Sequence, residues 1–169
     1  DASPPVNPNQ SRLSFRSSKY GVAPSGVVVP APGSAADPTS AGANGGGATL
    51  TVYRTDGGTD KVVLPLGAAR WKKTGTPTNP GFSYSDPKHA DGPIAAVTLR
   101  NGTLSIRGNG PGIYQLDNAP QGGMALRLQL GDAVELCAAV GPKDAASDTT
   151  GKVVGVRNAN APVSCPPVP

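Results

Sequence analysis

Aromatic side chains are scarce in this chain: one Trp, two Phe and four Tyr among 169 residues. Histidine occurs once, at position 89, and cysteine twice, at 137 and 165, with no C-x-x-C spacing and no histidine beside either cysteine. That poverty argues against a redox dithiol or a His/Cys metal centre. Any Ser-His-Asp constellation must use His89, yet no serine stands in a G-x-S-x-G context. Apolar runs are short. None approaches the roughly 20 residues needed to span a bilayer, and no stretch shows the 3.6-residue period of an amphipathic helix. A membrane-inserted protein and a helical bundle are both set aside on those grounds.

Glycine and proline are abundant, with 23 and 19 residues. Such a composition borders on low complexity, but Val, Leu and Ile gather in short alternating runs, for which a disordered chain has no use. The clearest is Gly123 to Val140. Met124, Leu126, Leu128 and Leu130 alternate with Ala125, Arg127 and Gln129. After Gly131-Asp132 the alternation resumes, with Val134, Leu136, Ala138 and Val140 opposed to Glu135, Cys137 and Ala139. Period-2 patterning on both sides of a Gly-Asp break predicts a β-hairpin with one buried face. Cys137 falls on the outer face. A bond to Cys165, in the Pro-rich C-terminal tail, straps that tail across the outside of the hairpin and contributes about 3 kcal/mol by restricting the unfolded chain. Disulfide use implies an oxidising compartment, and the small polar start Asp1-Ala2-Ser3-Pro4-Pro5 is of the kind expected after removal of a secretory signal. The expected location is secreted, at a cell surface or in a periplasm.

Taken in order, residues 1–10 carry Pro4, Pro5 and Pro8 and read as an extended arm. Ser11 to Lys19 alternates around Leu13 and Phe15 as a first strand. Val27 to Val29 is a brief apolar patch, and residues 30–47 form a long Gly/Pro/Ala loop with Asp37-Pro38-Thr39 as its turn signal. A loop of this length in a compact domain is functional or docked. Strands follow at Ala48–Arg54, Lys61–Leu66 (Pro65 marking an edge or a strand end), Ala69–Lys73 and around Phe82 and Tyr84. Ile94–Arg100 and Thr103–Arg107 flank Asn101-Gly102, the strongest hairpin signal in the chain. Further strands are expected at Ile113–Leu116, in the central hairpin and at Lys152–Arg157. The fold class is therefore all-β: a β-sandwich, jelly-roll-like or immunoglobulin-like, of about ten short antiparallel strands over residues 11–160, with extended Pro-rich termini, the last being 161–169.

The succession Asp37-Pro38-Thr39, a Gly-rich run, Ala48-Thr49-Leu50-Thr51-Val52, Leu64-Pro65, Trp71, Phe82-x-Tyr84-x-Asp86, Gly92-Pro93, Pro120-Gln121-Gly122, Cys137 and Cys165-Pro166 resembles an uncharacterised β-sandwich domain. That domain recurs in secreted and cell-surface bacterial proteins, often near their C-termini. The likeness runs from Arg12 to Pro166 and consists of turns and core positions, with no catalytic signature. It implies an extracellular, non-enzymatic accessory or structural module and carries over no active-site residue. In such proteins the domain trails a larger chain, whereas the 169 residues here hold the domain alone.

Candidate sites are few. Asp86, His89 and Asp91 could be read as metal ligands, but the Pro and Gly around them account for a polar turn, so no metal or other cofactor is expected. Asp56 with Asp60, and Asp144 with Asp148, lack the dense acidic alternation of a calcium loop. Trp71 and Tyr84, beside Arg70 and Lys72, are the candidate glycan-binding residues, since an aromatic face stacks on a sugar; the competing role for both rings is core bulk. Tyr53 and Tyr114 lie on expected strands. Asn101-Gly102-Thr103 matches a glycosylation sequon that a hairpin turn explains equally well. The net charge of +4 is scattered, permits attraction to anionic glycans and does not call for nucleic acid. Asn9, Leu13 and Phe15 are the candidate subunit contacts, because Asn9 to Lys19 holds no proline and can supply a strand to a neighbour's sheet edge. The functional expectation is a non-enzymatic structural subunit of an extracellular assembly (filament, sheath or surface layer) whose partner is itself or another secreted protein. The alternative is a carbohydrate-binding surface module.

Overall fold

The computed structural model describes residues 12–18, 26–40, 46–59, 61–100, 102–110, 112–113, 123–131, 133–140 and 162–169. Nine strands lie among them: β1 (Arg12–Ser18), β2 (Ala48–Arg54), β3 (Lys61–Leu66), β4 (Trp71–Thr76), β5 (Asn79–Ser85), β6 (Ile94–Arg100), β7 (Thr103–Asn109), β8 (Met124–Leu130) and β9 (Val134–Val140). A 3-10 turn, Ala68–Arg70, leads into β4. The strands form two antiparallel sheets, ordered β1-β7-β6-β5-β4 and β3-β2-β8-β9. The expected all-β sandwich is the fold.

Alternation decides which side chains face inward. Leu50, Val52, Leu64, Leu66, Leu126, Leu128, Leu130, Leu136 and Ala138 come from the four-stranded sheet. They meet Trp71, Phe82, Tyr84, Val97, Leu99, Leu104 and Ile106 of the other sheet in one continuous core. Burying a Leu or Phe side chain stabilises by about 1.5–3 kcal/mol, so this shared layer is what joins the sheets.

The hairpins follow their turn chemistry. Arg100 pairs with Thr103 across Asn101-Gly102, and Gly102 takes φ +76°, the conformation that an Asn-Gly turn demands. Leu130 pairs with Val134 across a three-residue turn opened by Gly131 at φ +51°. A Cβ at Gly131 would collide with the carbonyl oxygen of Ala35. Glycine there thus allows both the turn and the approach of the long loop. Of the two expectations for Pro65 the edge is the one met: among the described strands β3 pairs with β2 alone.

The described part of the 30–47 loop is docked on its own domain. Ala36 and Asp37 are buried, and successive backbone bonds (Ser34 N–H to Ala31, Asp37 N–H to Ser34, Ser40 N–H to Asp37, Gly47 N–H to Pro38) wind it through turns. The expected strand at Lys152–Arg157 and all but Ile113 of that at Ile113–Leu116 lie outside the described residues, as do the 1–10 arm and Asn9. Ile113 itself is in the core. The Val27 to Val29 patch forms no strand: Val27 is buried and Val28 exposed.

Candidate functional site

The outer face of the four-stranded sheet carries a built feature. Cys137 and Cys165 form the expected disulfide, with Cα atoms 5.6 Å apart. From Cys165 the tail crosses the sheet from one edge to the other. Cys137 lies on β9, at one end of the four described strands. Arg127, paired with Cys137 across β8, donates from Nη2 to the Pro166 carbonyl at 2.9 Å. Tyr53 on β2 donates its hydroxyl to the same oxygen at 2.7 Å. Lys61 on β3, the opposite edge, bonds the Pro169 carbonyl. Tyr53, Ala125 and Cys137 are outward-facing yet buried. Burial raises the Tyr53 phenol above its ordinary pKa, against an opposing pull from Arg127, which keeps the hydroxyl a donor. Arg127 Nη1 also reaches Glu135 Oε2 at 3.3 Å. The sequence reading placed the strap but not its clasps. Their signal was available, since the hairpin register sets Arg127 opposite Cys137 and alternation turns Tyr53 the same way.

A second constellation is the long loop's anchor. Both carboxylate oxygens of Asp37 are used: Oδ1 accepts from Thr39 N–H (2.8 Å) and Thr39 Oγ1 (2.6 Å), and Oδ2 from Gly33 N–H (2.6 Å). Lys73 Nζ stands 3.0 Å from Oδ2. Burial alone would raise this acid's pKa. The bonds from Thr39, Gly33 and Lys73 outweigh it and hold the carboxyl at about 2.

The Asp86–His89–Asp91 turn is organised by bonds to its own chain. Asp86 Oδ2 accepts Asp91 N–H at 2.7 Å. That bond is the chief reason its pKa lies below the ordinary value, with Arg70 assisting. Arg70 Nε pairs with Asp91 Oδ2 at 2.9 Å, and Arg70 Nη2 stands 3.9 Å from Asp86 Oδ1. His89 occupies the left-handed region at φ +54°, and its Nδ1 lies 3.3 Å from the Gly92 carbonyl. A guanidinium therefore already neutralises the acids that a cation would need. Among the described residues no group of three or more His, Cys, Asp or Glu is set to hold a metal ion. Asp56 is committed to Arg54 and to Gly58 N–H, while Asp60, Asp144 and Asp148 lie outside the described residues.

The candidate glycan-binding set does not form an aromatic platform. Trp71 is 4% exposed and Tyr84 2%. They are directly paired across β4 and β5, with ring centroids 5.6 Å apart and planes inclined by 59°. Trp71 Nε1 donates to the Leu66 carbonyl at 3.2 Å. A domain with so few large side chains spends both rings on its core, and their faces are closed to a sugar. Arg70 is engaged by Asp91, and of the four only Lys72 is a free surface cation.

Leu13 and Phe15 lie on β1, the outermost of the described strands of the five-stranded sheet. There they pair with Gly108 and Ile106 of their own β7 and pack, half-buried, against the core.

No protein-family model matches the chain, and no curated protein or solved structure matches it with significance. The disulfide is compatible with a non-cytoplasmic protein, and no helix among the described residues is long and apolar enough to cross a membrane.

Proposed function

We propose that this chain is a non-enzymatic structural subunit of an extracellular assembly, a filament, sheath or surface layer, in which β1 of one copy takes its place on β7 of the next. The observation that carries this reading is the β1–β7 ladder. All seven residues of β1 pair in unbroken register with β7, among the described strands β7 is the one that β1 touches through hydrogen bonds, and its apolar contribution is limited to half-buried Leu13 and Phe15. A terminal edge strand that fits its own sheet fits the same edge of an identical chain, so exchanging it between copies costs little. β3, an edge of the other sheet among the described strands, carries Pro65, which has no N–H to give to a new ladder. Disulfide use supports the extracellular setting. The non-enzymatic reading draws on the internal commitments of Asp37, Asp86, Asp91 and His89 described above.

The test is a cross-link across the ladder. Ser14 and Arg107 are direct partners in the β1–β7 register, and the double variant Ser14→Cys, Arg107→Cys reports whose β1 lies on whose β7. Exchange gives covalently linked chains on non-reducing gels. Cross-linked monomer alone, at every concentration, would refute strand exchange.

A further inference from the structure

The outer face of the five-stranded sheet is basic and rich in hydroxyls. Arg12 and Arg16 of β1, Arg107 of β7, Arg100 of β6 and Lys72 of β4 all point outward and are exposed. Among the described residues none of the five makes an ion pair and this face presents no carboxylate. The register aligns one cross-strand row in which Arg16 pairs with Ser105, Ser105 with Thr98, Thr98 with Ser83, and Ser83 with Lys72. Four strand spacings of about 4.8 Å make this row about 19 Å long. It has a cation at each end and three half-exposed hydroxyls between them. Ser14 and Thr103, on the neighbouring rows, extend the hydroxyl lawn around Arg107 and Arg100.

We infer that this face binds a linear acidic polysaccharide. The chemistry selects that class. Arg and Lys donate charge-assisted hydrogen bonds to sulfate or carboxylate groups, while serine and threonine hydroxyls exchange bonds with sugar hydroxyls as donor or acceptor. Single-stranded nucleic acid would want aromatic rings on which bases stack, and the rings this sheet carries, Phe15, Trp71, Phe82 and Tyr84, all pack on its inner side against the core. A lipid surface would want exposed apolar side chains beside the cations, and the outward positions of these strands hold Ser, Thr, Ala, Gly and Asn. The five-strand platform is the same whether β1 comes from its own chain or a neighbour, so the inference stands apart from strand exchange.

The test is calorimetric titration of the full chain with a sulfated glycosaminoglycan and with polygalacturonate, using neutral dextran, a single-stranded oligonucleotide and anionic phospholipid vesicles as comparisons. Arg16→Gln with Lys72→Gln removes both ends of the row, and affinity for the acidic polysaccharides should fall by about tenfold or more. Lys61→Gln with Lys88→Gln removes the same charge elsewhere and should leave affinity nearly unchanged. Thr98→Val with Ser105→Ala keeps the charge and should also weaken binding severalfold. Unfolding midpoints close to that of the parent show that each variant is folded. Equal losses in the two charge variants, an unaffected hydroxyl variant, or tighter binding of oligonucleotide or vesicles than of polysaccharide would each overturn the inference.

Discussion

Tyr53 and Pro166, 113 positions apart in the chain, are joined by a 2.7 Å hydrogen bond from the phenol to the prolyl carbonyl. With the neighbouring disulfide and Arg127, that bond makes the C-terminal tail a strap over a sheet face that alternation alone would leave to solvent. Tyr53→Phe removes one donor while Arg127 still serves the carbonyl, so stability should fall by about 1 kcal/mol. Urea denaturation should show a lower midpoint with an unchanged slope.

Opening the disulfide is a larger change. Its loop, between positions 28 apart, contributes about 3–4 kcal/mol by the chain-entropy relation. Cys165→Ser with Cys137→Ala should lower stability by that order. Limited proteolysis should then cut within 162–169 sooner than in the parent, because only hydrogen bonds hold the strap.

Asp37 sets an acid limit. Its carboxyl titrates at about 2 in the folded chain against an ordinary 3.8, so its stabilising effect is complete above about pH 4 and is lost as pH falls toward about 2. Asp37→Asn should destabilise the neutral protein by about 2–3 kcal/mol and flatten stability across that window, as read by unfolding midpoints at stepped pH. Asp56, also near 2, sits in an exposed turn with Arg54 and should contribute much less.

Trp71 separates core from ligand roles. Its ring is enclosed and paired with Tyr84, so Trp71→Ala should cost about 3–5 kcal/mol of stability, whereas Lys72→Ala, one residue on, should stay within about 0.5 kcal/mol. Thermal unfolding of the two variants makes the comparison.

The architecture was legible wherever one face of a strand is buried, because alternation then records the core directly. Leu126, Leu128, Leu130 and Leu136 point inward as their period requires, and Asn101-Gly102 makes its hairpin. Cys137 on the outward phase was enough to foresee the strap. Trp71 and Tyr84 were ambiguous because an aromatic on a strand is equally at home stacked on a ligand or packed inside, and only the β4–β5 register decides. The basic face escaped notice for a different reason. Arg12, Arg16, Lys72, Arg100 and Arg107 are scattered along the chain and become one surface only through the sheet order β1-β7-β6-β5-β4. A net charge spread evenly in sequence thus hides a concentrated one in space.

The central claim, assembly through β1, is tested most directly by the mass in solution of the purified, non-reduced protein, followed by light scattering over a range of concentrations. The account predicts stable or growing multimers that are lost when residues 1–18 are deleted, while the remaining chain keeps its β-sheet circular dichroism. A strict monomer at all concentrations, or multimers that persist undiminished without β1, would contradict it.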